Sequence, residues 1–461
     1  MHKLASLVAG LLHLASQPAL AAGDPIDLVT NFPPLLIRDA PTEGAHPLGG
    51  PAMRFVRLAN EGLAETGHTI VYNMTGAVPD SDAAFVRTFP GDLSGFATVY
   101  DAVAAGSEDG GADIGIGISN QNGLSFGELH VAALPFGLEA DEFAAYLYDG
   151  GGLALQQSLY DRHFDDRLKV LPIAITPTQG GGWFPGALPD PESNPDLTPQ
   201  SAMAALCRRP WIVRWPEPGA GIWARACKDA GVATGAIGAK TRCAHPDRDC
   251  PTADNPITSE VDRLTFGGFV PGIPPHVFIR TRNIDAYELN LPSTEVHMIR
   301  LATGQANLTA ASAELKSVIG PAPYYYGQTW HQPVTYLELL INKRFWASLD
   351  PPVRWAIRTA AESATLRSWT SSLSRQGAGI DRLEKDGAIV LRWPEGLLSR
   401  LRDAADSYLT EKAANLAEEG DPDYRTVLEH MRTFQAAQAR YGDFGDLNQG
   451  RAGLQSAPSR P

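Results

Sequence analysis

An α/β fold containing parallel strand pairs is predicted from three features of the chain. Its opening reads strand, helix, strand, over residues 26–32, 51–66 and 68–73. A short apolar run with glycines, Asp113-Ile114-Gly115-Ile116-Gly117-Ile118, has the look of a buried strand. At 461 residues the chain is also long for one core, and roughly two or three compact units are expected.

The elements follow in order. Ile26–Phe32 is a strand stopped by Pro33-Pro34. In the helix Pro51–Thr66, Phe55, Leu58, Ala59 and Leu63 share one face. Phe96–Ala105 is a short helix, and Asp113–Ile118 does not complete G-x-G-x-x-G because position 120 is Asn. A dinucleotide site is therefore not expected. His130–Phe136 reads as a strand, and Glu139–His163 as a helix interrupted at Gly150-Gly151-Gly152. Leu168–Ile175 and Trp211–Pro216 read as strands, with the helix Gly221–Ala230 after the second. Short strands are expected at His276–Arg280 and Asn283–Leu289, then broken helix over Glu295–Ile319. Thr335–Asn342 is a strand and Lys343–Ser348 begins a helix. From Pro351 to about Gln438 the pattern is helical, apart from a short strand at Ala388–Arg392. Residues 446–461 lack apolar periodicity and read as a disordered tail.

Charge and the N-terminus narrow the classes. A net charge of −14 with no concentrated basic stretch argues against a nucleic-acid partner. An anionic ligand would then need a local cationic or metal site. Lys3, the apolar run around Leu7–Leu14 and Ala19-Leu20-Ala21 form a secretory signal pattern. Cleavage is expected after Ala21 or Ala22, giving an exported, periplasmic protein. Cys207, Cys227, Cys243 and Cys250 fall in one segment; in an exported chain they read as two disulfides with three possible pairings. Zinc, with His245 between the last two, is the rival reading.

Chemistry concentrates after the strand at residue 168. Thr178-Gln179-Gly180-Gly181-Gly182-Trp183-Phe184 puts an amide, three glycines and two aromatics together, which reads as a pocket rather than a core element. Arg214 lies between Trp211 and Trp215, and a guanidinium fork matches a carboxylate. Gly123-Leu124-Ser125-Phe126-Gly127 satisfies G-x-S-x-G, so a secreted serine hydrolase using Ser125 is an alternative. That elbow needs a strand directly before it and a helix directly after, whereas Glu128–Ala133 reads as a strand.

Several of these segments, in order over roughly residues 24–420, resemble one family. They are Phe96–Gly106 with Gly111–Gly117, Leu134–Leu138, Tyr146–Leu153, Gln179–Phe184 and Val213–Pro216. Ile284–Glu288, Tyr324–Pro333 and Leu337–Trp346 complete the set. Together they resemble the extracytoplasmic solute-binding proteins of tripartite ATP-independent periplasmic (TRAP) transporters, in the branch that binds 2-oxo acids and related carboxylates. The resemblance implies a two-lobe, type II-like periplasmic binding fold with an interlobe cleft and long C-terminal helices. Lobe I would be residues 23–131 and 287–333, after a signal peptide at 1–22. Lobe II would be 132–286, with a cysteine-bearing insertion at about 231–272, and residues 334–445 would brace the lobes.

The resemblance also implies a role for each candidate. Arg214 would pair with the ligand carboxylate. A sodium or calcium ion would bridge ligand and protein through Gln179, Glu288 and the backbone carbonyl of Leu289, a set of oxygens suited to a hard cation. The family usually has Trp where this chain has Leu289, which alters the pocket wall. Trp183, Phe184, Tyr100, Asn120 and Trp330 are the candidate lining. The expected activity is non-enzymatic capture of a small organic acid for a TRAP membrane permease, with a homodimer as a possible assembly. A sensory carboxylate-binding protein would use the same site.

Overall fold

The structure, a computed structural model, describes residues 25–30, 49–74, 86–88, 93, 95–236, 264–266, 285–288, 290–296, 323–327 and 329–445. The signal segment, most of the 231–272 insertion, Leu289 and the 446–461 tail lie outside the described residues, as do Cys243 and Cys250. Strands run β1 Pro25–Thr30, β2 Thr69–Met74, β3 Val86–Thr88, β4 Ile114–Gly117, β5 Leu168–Thr176, β6 Gly182–Phe184 and β7 Ile212–Arg214. They continue as β8 Gly235–Ala236, β9 Thr265–Phe266, β10 Ala286–Tyr287, β11 Tyr324–Tyr326, β12 Thr335–Asn342 and β13 Ile389–Leu391. The chain divides into two compact units, each with its own sheet.

The first unit draws on Met1–Gly123, Gln157–Thr176 and Tyr336–Arg375. Its sheet has the order β3-β2-β1-β4-β12-β5. The predicted parallel pairs are present: β1 pairs β2 and β4 in parallel, and β2 pairs β3. β12 enters antiparallel beside β4, with Glu338 opposite Gly117. All eight of its residues are buried, as in a strand covered on both faces. Helix Pro351–Leu373 packs on β5 and on helix Gly49–Leu63. Thr98 caps helix Val99–Ala105 by accepting from the Asp101 N–H, and Asp101 returns the bond to the Thr98 N–H.

The second unit draws on Leu124–Gln156, Pro177–Thr335 and Gln376–Pro461. Its sheet, among the described residues, has the order β13-β11-β6-β10-β7-β9-β8. Helix Glu395–Glu418 packs on helices Pro199–Cys207 and Gly219–Asp229. Beneath the sheet lies a core rich in aromatics: Phe184, Trp211, Trp215, Trp223, Tyr326, Trp330 and Trp393. Cys207 and Cys227 are bonded to each other inside this core. That settles one of the two expected bridges and removes both sulfurs from any zinc set.

Four expectations change. The described residues of 287–333 belong with the second unit, because Tyr287 pairs with Trp183 and Arg214 while Tyr324–Tyr326 pair with β6. Residues 334–445 form no separate brace: β12 completes the first sheet, and the helices beyond Gln376 join the second unit. The strand expected at His130–Phe136 is instead helix Gly127–Ala132 followed by a turn. A short apolar run buried on all sides carries no periodicity to separate the two. Lastly, Gly182–Phe184, read as something other than a core element, is a buried interior strand.

Candidate functional site

Strand directions in the second sheet bring distant residues to one end. β6 runs antiparallel to both β10 and β11, and β10 runs parallel to β7. The residues just before β6 therefore lie at the same sheet end as those ending β7 and those just after β10 and β11. Gln179, Arg214, Glu288 and the Thr329–His331 segment meet there. Backbone bonds lock the arrangement: Gly180 N–H donates to the Asn290 carbonyl at 2.9 Å, and Gly181 N–H to the Tyr326 carbonyl at 2.6 Å.

Two of the glycines are required by space. A β-carbon on Gly180 would fall 2.1 Å from the Tyr325 hydroxyl oxygen. One on Gly182, whose φ is +111°, would fall 2.5 Å from the Trp215 ring. The glycine run thus lets a central strand pass between two aromatics. On that strand Trp183 and Phe184 face opposite sides. Phe184 lies in the aromatic core, as does Trp330. Trp183 stacks with Tyr287 and tilts against Tyr325. Its indole N–H donates to buried Glu295.

Arg214 donates from Nη1 to Glu288 Oε1 and to the Glu288 carbonyl, both at 2.6 Å. Glu288 is 2% exposed. Burial pushes its carboxyl up, but His331 and Arg214 outweigh that and hold it below the usual carboxylate value. Glu288 Oε2 lies 3.1 Å from His331 Nε2. Glu295 shows the opposite balance: burial pushes it up to about 8, against the bonds from Trp183 and the Asn290 N–H. At neutral pH it is therefore largely protonated.

Gln179 donates from Nε2 to Thr335 Oγ1, which also accepts from Gln332. That leaves Gln179 Oε1 buried with no hydrogen-bond partner, while Glu288 Oε2 has the His331 ring nitrogen beside it. Tyr325 OH and Trp330 Nε1 are also buried without partners. Native interiors pair nearly all such atoms, and each exception needs an explanation. The unpaired amide oxygen and the lone pair left on the carboxylate oxygen are donors of the kind a hard cation takes. Among the described residues no group of three or more His, Cys, Asp or Glu is gathered for a metal. The residues present thus fit sodium or calcium through mixed oxygens better than zinc. Leu289, expected to add its carbonyl, lies outside the described residues.

Tyr100 and Asn120 belong to the first unit. The Tyr100 hydroxyl donates to Glu338 at 2.8 Å, and its ring packs between Tyr160 and Phe164. Asn120 is exposed on the turn Ser119–Gln121. Ser125 donates to the Asp421 carboxylate at 2.6 Å. A helix does follow it, but the strand Ile114–Gly117 is separated from it by that turn, so the hydrolase elbow is not formed. His331 and Glu295 were not singled out in the sequence. The His in Trp330-His331-Gln332-Pro333 was the available signal for the first; Glu295 offered none.

No family model matches the chain, and no curated relative does. Solved structures do match. A TRAP periplasmic solute-binding protein from Pseudoalteromonas atlantica T6c, with bound sodium and pyruvate, is 18% identical with a TM-score of 0.61, covering 94% of this chain and 99% of its own. A TRAP solute-binding protein from Bordetella bronchiseptica RB50, with calcium and picolinate, is 17% identical with a TM-score of 0.62, over 94% and 97%. One from Colwellia psychrerythraea, with calcium and pyruvate, is 18% identical with a TM-score of 0.60, over 94% and 99%. The chain has the two-lobe α/β fold of TRAP solute-binding proteins. Among the described residues no helix is long and apolar enough to cross a membrane.

Proposed function

We propose that this chain is a periplasmic solute-binding protein of the TRAP type, which captures a small carboxylate and hands it to a membrane permease. The observation carrying this reading is the unpaired buried Gln179 Oε1, at the same sheet end as the Arg214–Glu288 pair. Arg214 supplies the charge for the ligand carboxylate, and Trp183 lies on the adjoining sheet face. Phe184 and Trp330 act behind the site as packing, and Tyr100 and Asn120 remain proposed lining. Gln179, Glu288 and the Leu289 carbonyl would hold a sodium or calcium ion, which when bound attracts the carboxylate and 2-oxo oxygens of the ligand. The ligands named for the structural neighbours, pyruvate and picolinate, support a carboxylate bearing a second donor atom. No bond is made or broken; binding and release are the activity. Delivery, the permease partner and export with signal cleavage belong to the same proposal.

The test is tryptophan fluorescence of the mature protein titrated with 2-oxo, 2-hydroxy and dicarboxylic acids, with and without Na⁺ or Ca²⁺. Saturable, cation-dependent quenching by one acid, lost in Arg214→Ala, is expected. Absence of binding by every acid in every cation background would overturn the assignment.

A further inference from the structure

His331 is 2% exposed, in the segment that follows β11. Its Nδ1 lies 3.3 Å from Trp215 Nε1 and 2.7 Å from Thr329 Oγ1. An indole nitrogen can only donate, so Nδ1 carries the lone pair and the neutral ring bears its proton on Nε2. That nitrogen is 3.1 Å from Glu288 Oε2, while Arg214 Nη1 holds Oε1 at 2.6 Å. The ring cannot back away, because the Gly219 backbone packs against it: a β-carbon there would lie 3.2 Å from His331 Cβ. Trp215 and Trp330 close two further sides, with ring centroids 5.7 and 5.4 Å away.

We propose that His331 is a positioning residue for the cation: its Nε2–H fixes the plane of the Glu288 carboxylate and leaves a lone pair of Oε2 for the ion. This rests on the carboxylate-and-cation reading above. A ligating carboxylate is ordinarily oriented by such a partner, and loss of the partner costs about 10–100-fold in metal affinity.

The experiment is calorimetric titration of the full mature chain with pyruvate over a series of Na⁺ and of Ca²⁺ concentrations, with a thermal melt of each protein. His331→Leu is expected to raise the cation concentration at half-maximal binding by about 10–100-fold. Pyruvate affinity at saturating cation should be unchanged. His331→Gln, whose amide can still donate to Glu288, should restore most of the loss, which a packing role would not produce. A Leu variant with the wild-type cation midpoint overturns the proposal, and so does a Gln variant no better than Leu. Should the Leu variant fail to fold, His331→Asn carries the test: its shorter amide cannot reach Glu288 Oε2, so the cation midpoint must rise, and an unchanged midpoint overturns the idea. A wild type that binds neither pyruvate nor any acid of the panel instead refutes the functional reading beneath it.

Discussion

Two buried carboxylates, one in each unit, have been given opposite surroundings. Glu338 accepts from the Tyr100 hydroxyl at 2.8 Å and the Tyr160 hydroxyl at 2.9 Å, and Tyr160 accepts in turn from Asn122 at 3.1 Å. That network is completed by the protein itself. Glu288 is as deeply buried and is paired with Arg214 and His331, yet Gln179 Oε1 and the Tyr325 hydroxyl in the same unit are left without partners. Burying a charge costs several kcal/mol unless every lone pair is met. The polar groups around Glu338 are thus met within the protein, and these two in the second unit are not.

The pH axis should break the symmetry most strongly, since the second unit holds the uncompensated titratable groups. Glu295 is raised to about 8, so its stabilisation is complete below the unfolded carboxyl value near 4.5 and is lost as pH rises toward 8. His130, buried with both ring nitrogens unpaired, is lowered to about 3, so stability falls as pH drops below 6.5. The clean windows are pH 6.5–8 for Glu295 and pH 3–4.5 for His130. Melts across pH should show Glu295→Gln flattening the alkaline slope, and His130→Leu the acid one, each by up to about 1.4 kcal/mol per pH unit. Unchanged slopes would mean that the two groups titrate normally.

Next in size is ligand binding. Glu288→Gln should weaken cation-dependent carboxylate binding by about 100-fold, in the range for truncating a buried charge pair. Glu338→Gln should leave it unaltered. Equal losses in calorimetry would erase the distinction between the two acids. The smallest effect is also the sharpest. Tyr100→Phe removes a hydroxyl bonded to a carboxylate and should cost about 1.5–3 kcal/mol in urea unfolding. Tyr325→Phe removes a hydroxyl with no partner and should be close to neutral in the ligand-free protein.

Much of the fold was legible because it lay in local pattern. Thr335–Asn342 and Lys343–Ser348 match as read, and the break at Gly150–Gly152 does separate two helices. Arg214, for which the resemblance implied a ligand carboxylate as partner, is bonded here to Glu288. What failed had a common cause. His130 lies in a helix where a strand was read, since a run buried on every side has no period. The Gly180–Gly182 run was read as part of a pocket because glycine lets another group approach closely. Here it serves close packing against Tyr325 and Trp215, a fact of neighbours remote in sequence.

The sequence by itself determined the first strands, several of the helices and that parallel strand pairs would form, because these depend on residue type and short spacing. Only the tertiary structure decided that Tyr287 pairs with β6 and β7 and Tyr324–Tyr326 with β6, that the Trp183 donor is taken by Glu295, and that His331 faces Glu288. Those outcomes depend on strand order and direction, which set residues a hundred positions apart at one end of a sheet and leave no mark in the local sequence.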